Sequence, residues 1–211
     1  MIVCVEGING SGKTTLANVL VGMWPSGYAQ AIDPVQHTVF GDTIRTAIMA
    51  ATGLAADAET LAFASARLHT AGILAGNRCP PAQHLVVLER WAGAVVAYGT
   101  VAGASPFLLR ALEGSLTGAM PVDVTMLVDV PGDVAEERLI RLGGRNRFET
   151  LGPGYLERVR RQYLAWASIQ QVPVINGQQG MAAVVEQAAG LIEARAAATG
   201  DVPQADAQES A

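Results

Sequence analysis

Apolar residues in this chain fall into short runs separated by longer amphipathic stretches. Four runs, Ile2 to Val5, Leu85 to Leu88, Val124 to Val130 and Val172 to Ile175, lack the polar alternation of a half-exposed strand, as strands covered on both faces do. A weaker run, Tyr28 to Ile32, predicts a fifth. Between the runs, apolar positions recur at helical spacing; Leu156, Val159, Tyr163 and Trp166 fall on one face. The pattern predicts helices near 12–23, 40–51, 57–77, 91–101, 105–117, 131–142, 154–169 and 180–197. Strands alternating with helices imply an α/β fold, with a parallel sheet of about five strands and helices on both faces.

The 211 residues, half of them hydrophobic, suit one domain with a sizeable core. Apolar periodicity stops near Ala198 and small polar residues follow, which predicts a domain over 1–197 and a disordered tail over 198–211. Lys and Arg number 14 against 19 Asp and Glu, and the net charge of −5 gives no general attraction for nucleic acid or an anionic membrane. Neither is expected as a partner, and any phosphate binding must be local. The chain opens on Met1-Ile2-Val3-Cys4-Val5 without a basic segment, and it has no apolar run of about 18 residues, so a soluble cytoplasmic protein is expected. Cys4 and Cys79 are too few for a disulfide framework, and Cys4 lies in a strand pattern that would bury it. His37, His69 and His84 are scattered, with no partners at metal-ligand spacing, so no structural zinc is predicted.

Chemistry enters with Gly7-Ile8-Asn9-Gly10-Ser11-Gly12-Lys13-Thr14, which fits G-x4-G-K-[ST] between a predicted strand and a predicted helix. Glycines let successive backbone N–H groups curl inward, and the helix N-terminus adds positive potential. Gly7, Asn9, Gly10, Ser11, Gly12, Lys13, Thr14 and Thr15 would form a phosphate cradle. In such a cradle Lys13 reaches the β and γ phosphates of ATP or GTP and Thr14 can ligate Mg²⁺. An ordinary glycine-rich turn is the alternative. With glycine near 7% of residues, a chance match in a chain of this length arises on the order of once in a hundred.

Further stretches accompany Val5-Glu6-Gly7 and the cradle: Leu61-Ala62-Phe63-Ala64-Ser65-Ala66-Arg67, Val87-Leu88-Glu89-Arg90-Trp91 with Ala97-Tyr98, Val122 to Val130, and Gly144-Arg145-Asn146-Arg147-Phe148-Glu149 followed by Tyr155 to Arg160. Together, and in this order from residue 1 to about 197, they resemble the thymidylate kinases. The resemblance implies a P-loop NTPase fold with an arginine-rich lid near 141–152. It also implies transfer of phosphate from ATP, with Mg²⁺, to a nucleoside monophosphate, most naturally dTMP. Homodimers are common in the family, and Ala-rich helices could pack closely in one.

By the same resemblance, Glu89 would lie near the metal and Arg90 on the acceptor phosphate. A structural ion pair at a strand end is the alternative. Arg138, Arg141, Arg145, Arg147 and Glu149 crowd one segment, and the first three sit near helical spacing for a single face. Arg147 with Arg141 or Arg145 would bring charge over the transferring phosphoryl group, since no arginine interrupts the cradle; a solvated basic face is the other reading. Phe63 and Arg67, four apart on a helix, would stack on and hydrogen-bond to the base, although a phenylalanine taken by itself is more often core. Arg45 matches a position near the acceptor or is a surface arginine, and Tyr98 would lie against the deoxyribose or be buried.

Some positions depart from the family. Asn9 stands where an acidic residue is usual and Glu89 where Asp is usual, while Asn146 replaces Asp in the lid. Ile32-Asp33-Pro34 lacks an arginine, and Trp91, Ala94 and Val95 replace tyrosine and polar residues beside the base. A kinase of another nucleotide, of a nucleotide-like metabolite or of an unphosphorylated acceptor, and an ATP-binding switch without phosphotransfer, are the competing functions.

Overall fold

The computed structural model describes residues 1–24, 28–76, 84–143 and 151–199. Five strands alternate with helices along them: β1 (Ile2–Glu6), α1 (Lys13–Met23), β2 (Ala29–Ile32), α2 (Val39–Ala50), α3 (Ala56–Gly76), β3 (Leu85–Glu89) and α4 (Ala92–Ala102). Then come α5 (Pro106–Ala119), β4 (Val124–Asp129), α6 (Gly132–Arg141), α7 (Pro153–Gln170), β5 (Val174–Asn176) and α8 (Met181–Thr199). The helices stand within two residues of the bounds that periodicity predicts. β5 starts later than its apolar run because Pro173 has no N–H for the ladder, although its carbonyl still accepts from Leu127 at 2.9 Å.

The strands form one parallel sheet in the order β2-β3-β1-β4-β5. All five residues of β1 are buried, with Ile2 and Cys4 in one hydrophobic cluster and Val3 and Val5 in another. The period-2 pleat sends alternate side chains to opposite faces, which is why the run reads as continuously apolar. On one face, Ala64 and Ala71 of α3, Val95 of α4 and Leu109, Leu112 and Leu116 of α5 meet Val86 and Leu88. On the other, Leu16 and Leu20 of α1 and Val184, Ala188 and Ile192 of α8 meet Val87, Met126 and Val128. A third cluster, including Leu139, Leu156, Val159, Tyr163 and Trp166, seats α6 and α7 against α4.

Strand pairing places β1 beside β3, with Val5 opposite Glu89. The loops that follow these two strands therefore emerge together at the C-terminal edge of the sheet, where the order changes direction across β1. That is where open α/β sheets bind ligands.

Candidate active site

The segment between β1 and α1 turns on glycines. Gly10 has φ +78°, and a Cβ there would stand 2.4 Å from the carbonyl oxygen of Ala135; Gly12, at φ +97°, caps α1 without a side-chain hydrogen bond. Such a backbone leaves the N–H groups of the first helical turn available to an anion. The Ser11 N–H donates to Ile8 O at 3.2 Å, and the Ser11 hydroxyl is buried without a protein partner. Lys13, only 5% exposed, donates from Nζ to Ile8 O at 3.2 Å. Burial first and the charge of Arg90 second push its pKa down to about 7, against the opposing pull of Glu89, Asp33 and Glu6.

β3 delivers Glu89 and Arg90 beside this turn. The Thr14 hydroxyl donates to Glu89 Oε2. A hydroxyl and a carboxylate so close at the end of a phosphate cradle are the hard oxygen donors that magnesium takes, one or two from protein and the rest from phosphate and water. Among the described residues no group of three or more His, Cys, Asp or Glu could hold a metal by itself.

Arg90 has φ 71°, a left-handed backbone that side chains rarely adopt. Its Nη2 donates to Asn9 Oδ1 and lies 3.4 Å from the Tyr98 hydroxyl, which itself donates to Asn9 Oδ1 at 3.0 Å. Its guanidinium carbon stands 5.6 Å from the centre of the Tyr98 ring, and its Nε is buried without a protein partner. Burial opposes the charge of Arg90, but Tyr98, Tyr163, Asp33 and Glu6 outweigh it and raise its pKa.

A cleft of about 640 Å³ runs from the cradle past these groups. At the cradle end it is lined by Asn9, Gly10, Gly12, Lys13, Thr14 and Thr15, and beyond them by Glu89, Arg90 and Tyr98. Arg45, Phe63, Arg67 and Arg141 line it as well, with Ala94, Val95 and Gly99 of α4. Phe63 and Arg67 share a face of α3: Arg67 Nη1 donates to Phe63 O at 3.1 Å. Arg67 is 6% exposed and its buried Nε lacks a protein partner, so an acceptor atom on a bound molecule would satisfy it. Burial lowers the pKa of Arg67, while Asp33 and Glu6 oppose that shift.

Other predicted residues fall elsewhere. Gly7 lies beneath the cradle, where a Cβ would meet Ser11 Oγ and Val128 O at 2.7 Å. Ser11 faces a smaller hollow on the other side of the cradle, shared with Arg138, Gly177, Gln179 and Met181. Arg145, Arg147 and most of the predicted lid lie outside the described residues, as do residues 200–211 of the tail predicted over 198–211, while Ala198 and Thr199 continue α8. Helical spacing put Arg138 and Arg141 on one face, and both line the cleft, but they differ in their partners. Arg138 turns inward and donates to Ser11 O at 3.2 Å and Gly177 O at 2.8 Å, whereas exposed Arg141 pairs with Glu137 one turn back. Arg138, from the arginine-rich segment, and Asp33, from the element without the family's arginine, are cleft residues to which the sequence alone assigns no role. α6, which carries Arg138, is held by Glu157 of α7 accepting the Gly132 N–H at 3.1 Å, while Arg160 grips both oxygens of Asp129 at 2.7 and 2.8 Å.

Known proteins resemble this chain over most of its length. A probable thymidylate kinase of Pyrobaculum aerophilum is 28% identical over 90% of this chain and 95% of its own length. A thymidylate kinase of Thiobacillus denitrificans is 30% identical, covering 90% of this chain and 95% of its own. One of Nitratidesulfovibrio vulgaris is 29% identical over 98% and 97% respectively. A family model described as thymidylate kinase matches residues 5–188, from β1 into α8. With the cradle, the Glu89-Arg90 strand end and the Phe63-Arg67 pair in one cleft, the chain belongs to the thymidylate kinase family.

Proposed function

We propose that this phosphotransferase moves the γ-phosphoryl group of ATP to the 5′-phosphate of dTMP, giving ADP and dTDP. The observation that carries the reading is the single cleft joining a phosphate cradle at one end to Arg90, Phe63 and Arg67 at the other. Donor and acceptor both carry negative charge, so bringing them in line needs fixed cations more than covalent chemistry.

In this reading the cradle amides and Lys13 hold the β and γ phosphates. Arg90, steadied by Asn9 and Tyr98, binds the acceptor phosphate. Phe63 stacks on the base, Arg67 donates to it, Tyr98 lies along the sugar and Arg45 closes the acceptor end. An acceptor phosphate oxygen attacks the γ phosphorus as its bond to the ADP oxygen breaks. Arg141, with Arg145 and Arg147, supplies charge over the transferring group and excludes water. Thr14 and Glu89 would hold magnesium, which when bound with ATP offsets charge on its phosphates. Family membership also supports a homodimer in the cytoplasm, and among the described residues no helix is long and apolar enough to cross a membrane.

A second reading, transfer to a different nucleotide, is favoured by Ala94 and Val95, which give the cleft apolar walls on α4 and few groups there to discriminate a base by hydrogen bonding. The test is ADP formation from Mg-ATP over dTMP, dUMP, dCMP, UMP, CMP and the unphosphorylated nucleosides, with products identified by mass. Preference for dTMP supports the main reading and preference for another monophosphate the second; turnover of nucleosides alone, or of nothing, refutes both.

A further inference from the structure

We propose that Glu6 is a positioning residue for Arg90, fixing through the backbone the guanidinium assigned above to the acceptor phosphate. The proposal rests on that assignment. Glu6 ends β1 and is completely buried. A carboxylate in such a place is unfavourable unless donors surround it. Three do: Oε1 accepts the Trp91 N–H at 2.8 Å and the Ala94 N–H at 3.3 Å, and Oε2 accepts from the Tyr163 hydroxyl at 3.1 Å.

The two amides belong to the start of α4, whose N-cap residue Trp91 makes no side-chain cap. They are among the donors a helix leaves unbonded at its N-terminus, so Glu6 caps α4 from the neighbouring strand. Arg90 is the residue before that cap. Its own N–H donates to Val5 O at 3.1 Å, while the next N–H donates to the Glu6 side chain. Consecutive residues of β1 thus hold both sides of a backbone turn at φ 71° that an arginine would not adopt unaided. α4 also carries Tyr98, the second group that steadies the guanidinium.

The surroundings are shaped to the carboxylate. A Cβ on Gly93 would stand 3.0 Å from Glu6 Oε1 and 2.7 Å from the Trp166 ring, so only glycine lets the helix start settle on that oxygen. The charge of Glu6 also acts on Arg90, Arg67 and Lys13, which gives a competing account in which charge and not reach matters. Two variants separate the accounts. Glu6→Gln keeps an oxygen at the same reach without the charge. Glu6→Asp keeps the charge but withdraws it by about 1.5 Å, one C–C bond.

Turnover of dTMP by the unmodified protein tests the acceptor assignment before any variant is made. Glu6→Asp is expected to raise KM for dTMP by about tenfold or more while KM for ATP moves by less than about threefold, with Glu6→Gln staying within about threefold on both. Hydrogen exchange at the Trp91 and Ala94 amides reads the contact without nucleotide, and should be faster in Glu6→Asp and unchanged in Glu6→Gln. The proposal is overturned if Glu6→Asp leaves KM for dTMP and both amides unchanged, if both nucleotides lose equally, or if Glu6→Gln loses as much as Glu6→Asp.

Discussion

ATP binding should take up a proton, and it should weaken as pH rises above neutrality. Lys13 is the reason: 5% exposed and beside Arg90, its ammonium is held to a pKa of about 7 where lysine ordinarily has 10.5. At pH 8 roughly nine in ten free molecules would carry a neutral Lys13. Phosphates in the cradle favour the ammonium, so the complex recovers the proton. Affinity should then fall by up to about tenfold per pH unit, about 1.4 kcal/mol, until the bound lysine itself titrates. Calorimetric titration of ATP between pH 7.5 and 9, in two buffers of different ionisation enthalpy, measures both quantities in a range where phosphates are already ionised. Lys13→Met should bind weakly with no proton uptake. Stability of the free protein should move in the opposite sense. A folded-state pKa below the unfolded one stabilises the fold increasingly as pH rises from about 7 toward 10.5. Above about pH 9 that gain is opposed, because burial raises the Cys4 thiol and the Tyr163 hydroxyl well above their ordinary values and holds both protonated only in the fold. A pH-independent ATP affinity with no proton uptake in the unmodified protein would refute this account of Lys13.

Arg67→Ala should raise KM for dTMP by about tenfold or more and leave KM for ATP nearly unchanged, since it removes a buried charged donor at the acceptor end; equal effects on the two nucleotides would mean that Arg67 does not face the base. Gly93→Ala forces a methyl group against Trp166 and Glu6 and should destabilise the fold by about 1–3 kcal/mol, read as a melting temperature lower by roughly 2–4 °C per kcal/mol. An unchanged melting curve would show that α4 has slack at this point.

How far the structure was legible depended on whether a feature is set locally or across the chain. β1 could be read because both faces of a parallel strand are covered, and the cradle because its turn is set by glycines at fixed spacing. The expectation that Arg45, Phe63 and Arg67 belong to the site needed the family resemblance, since α2 and α3 reach the cleft by tertiary packing that no spacing encodes. Spacing put Arg138 and Arg141 on one face, and both line the cleft, but periodicity does not tell what a side chain meets; Gly177, a partner of Arg138, is 39 positions away. The left-handed Arg90 and the buried Glu6 were equally hidden. Nothing local marks an arginine for positive φ, and a carboxylate at a strand end gives no sign that two amides beyond β3 await it.

Asn9 brings these threads to one point. It departs from the acidic residue usual in the family, yet its Oδ1 accepts from both Arg90 and Tyr98 as a carboxylate oxygen could. The difference is charge. An amide orients the guanidinium without adding a negative charge beside it, so Asn9, unlike a carboxylate, subtracts nothing from the attraction of Arg90 for an anion or from its repulsion toward Lys13. An acceptor phosphate on Arg90 would offset that repulsion and raise the Lys13 pKa, so acceptor binding would itself restore the ammonium that ATP needs. Binding of the two substrates is then coupled through proton affinity, and by linkage the coupling is equal in both directions. The Lys13 titration repeated with dTMP present should therefore show less proton uptake on ATP addition, and the same uptake with and without dTMP would remove the link between Arg90 and Lys13.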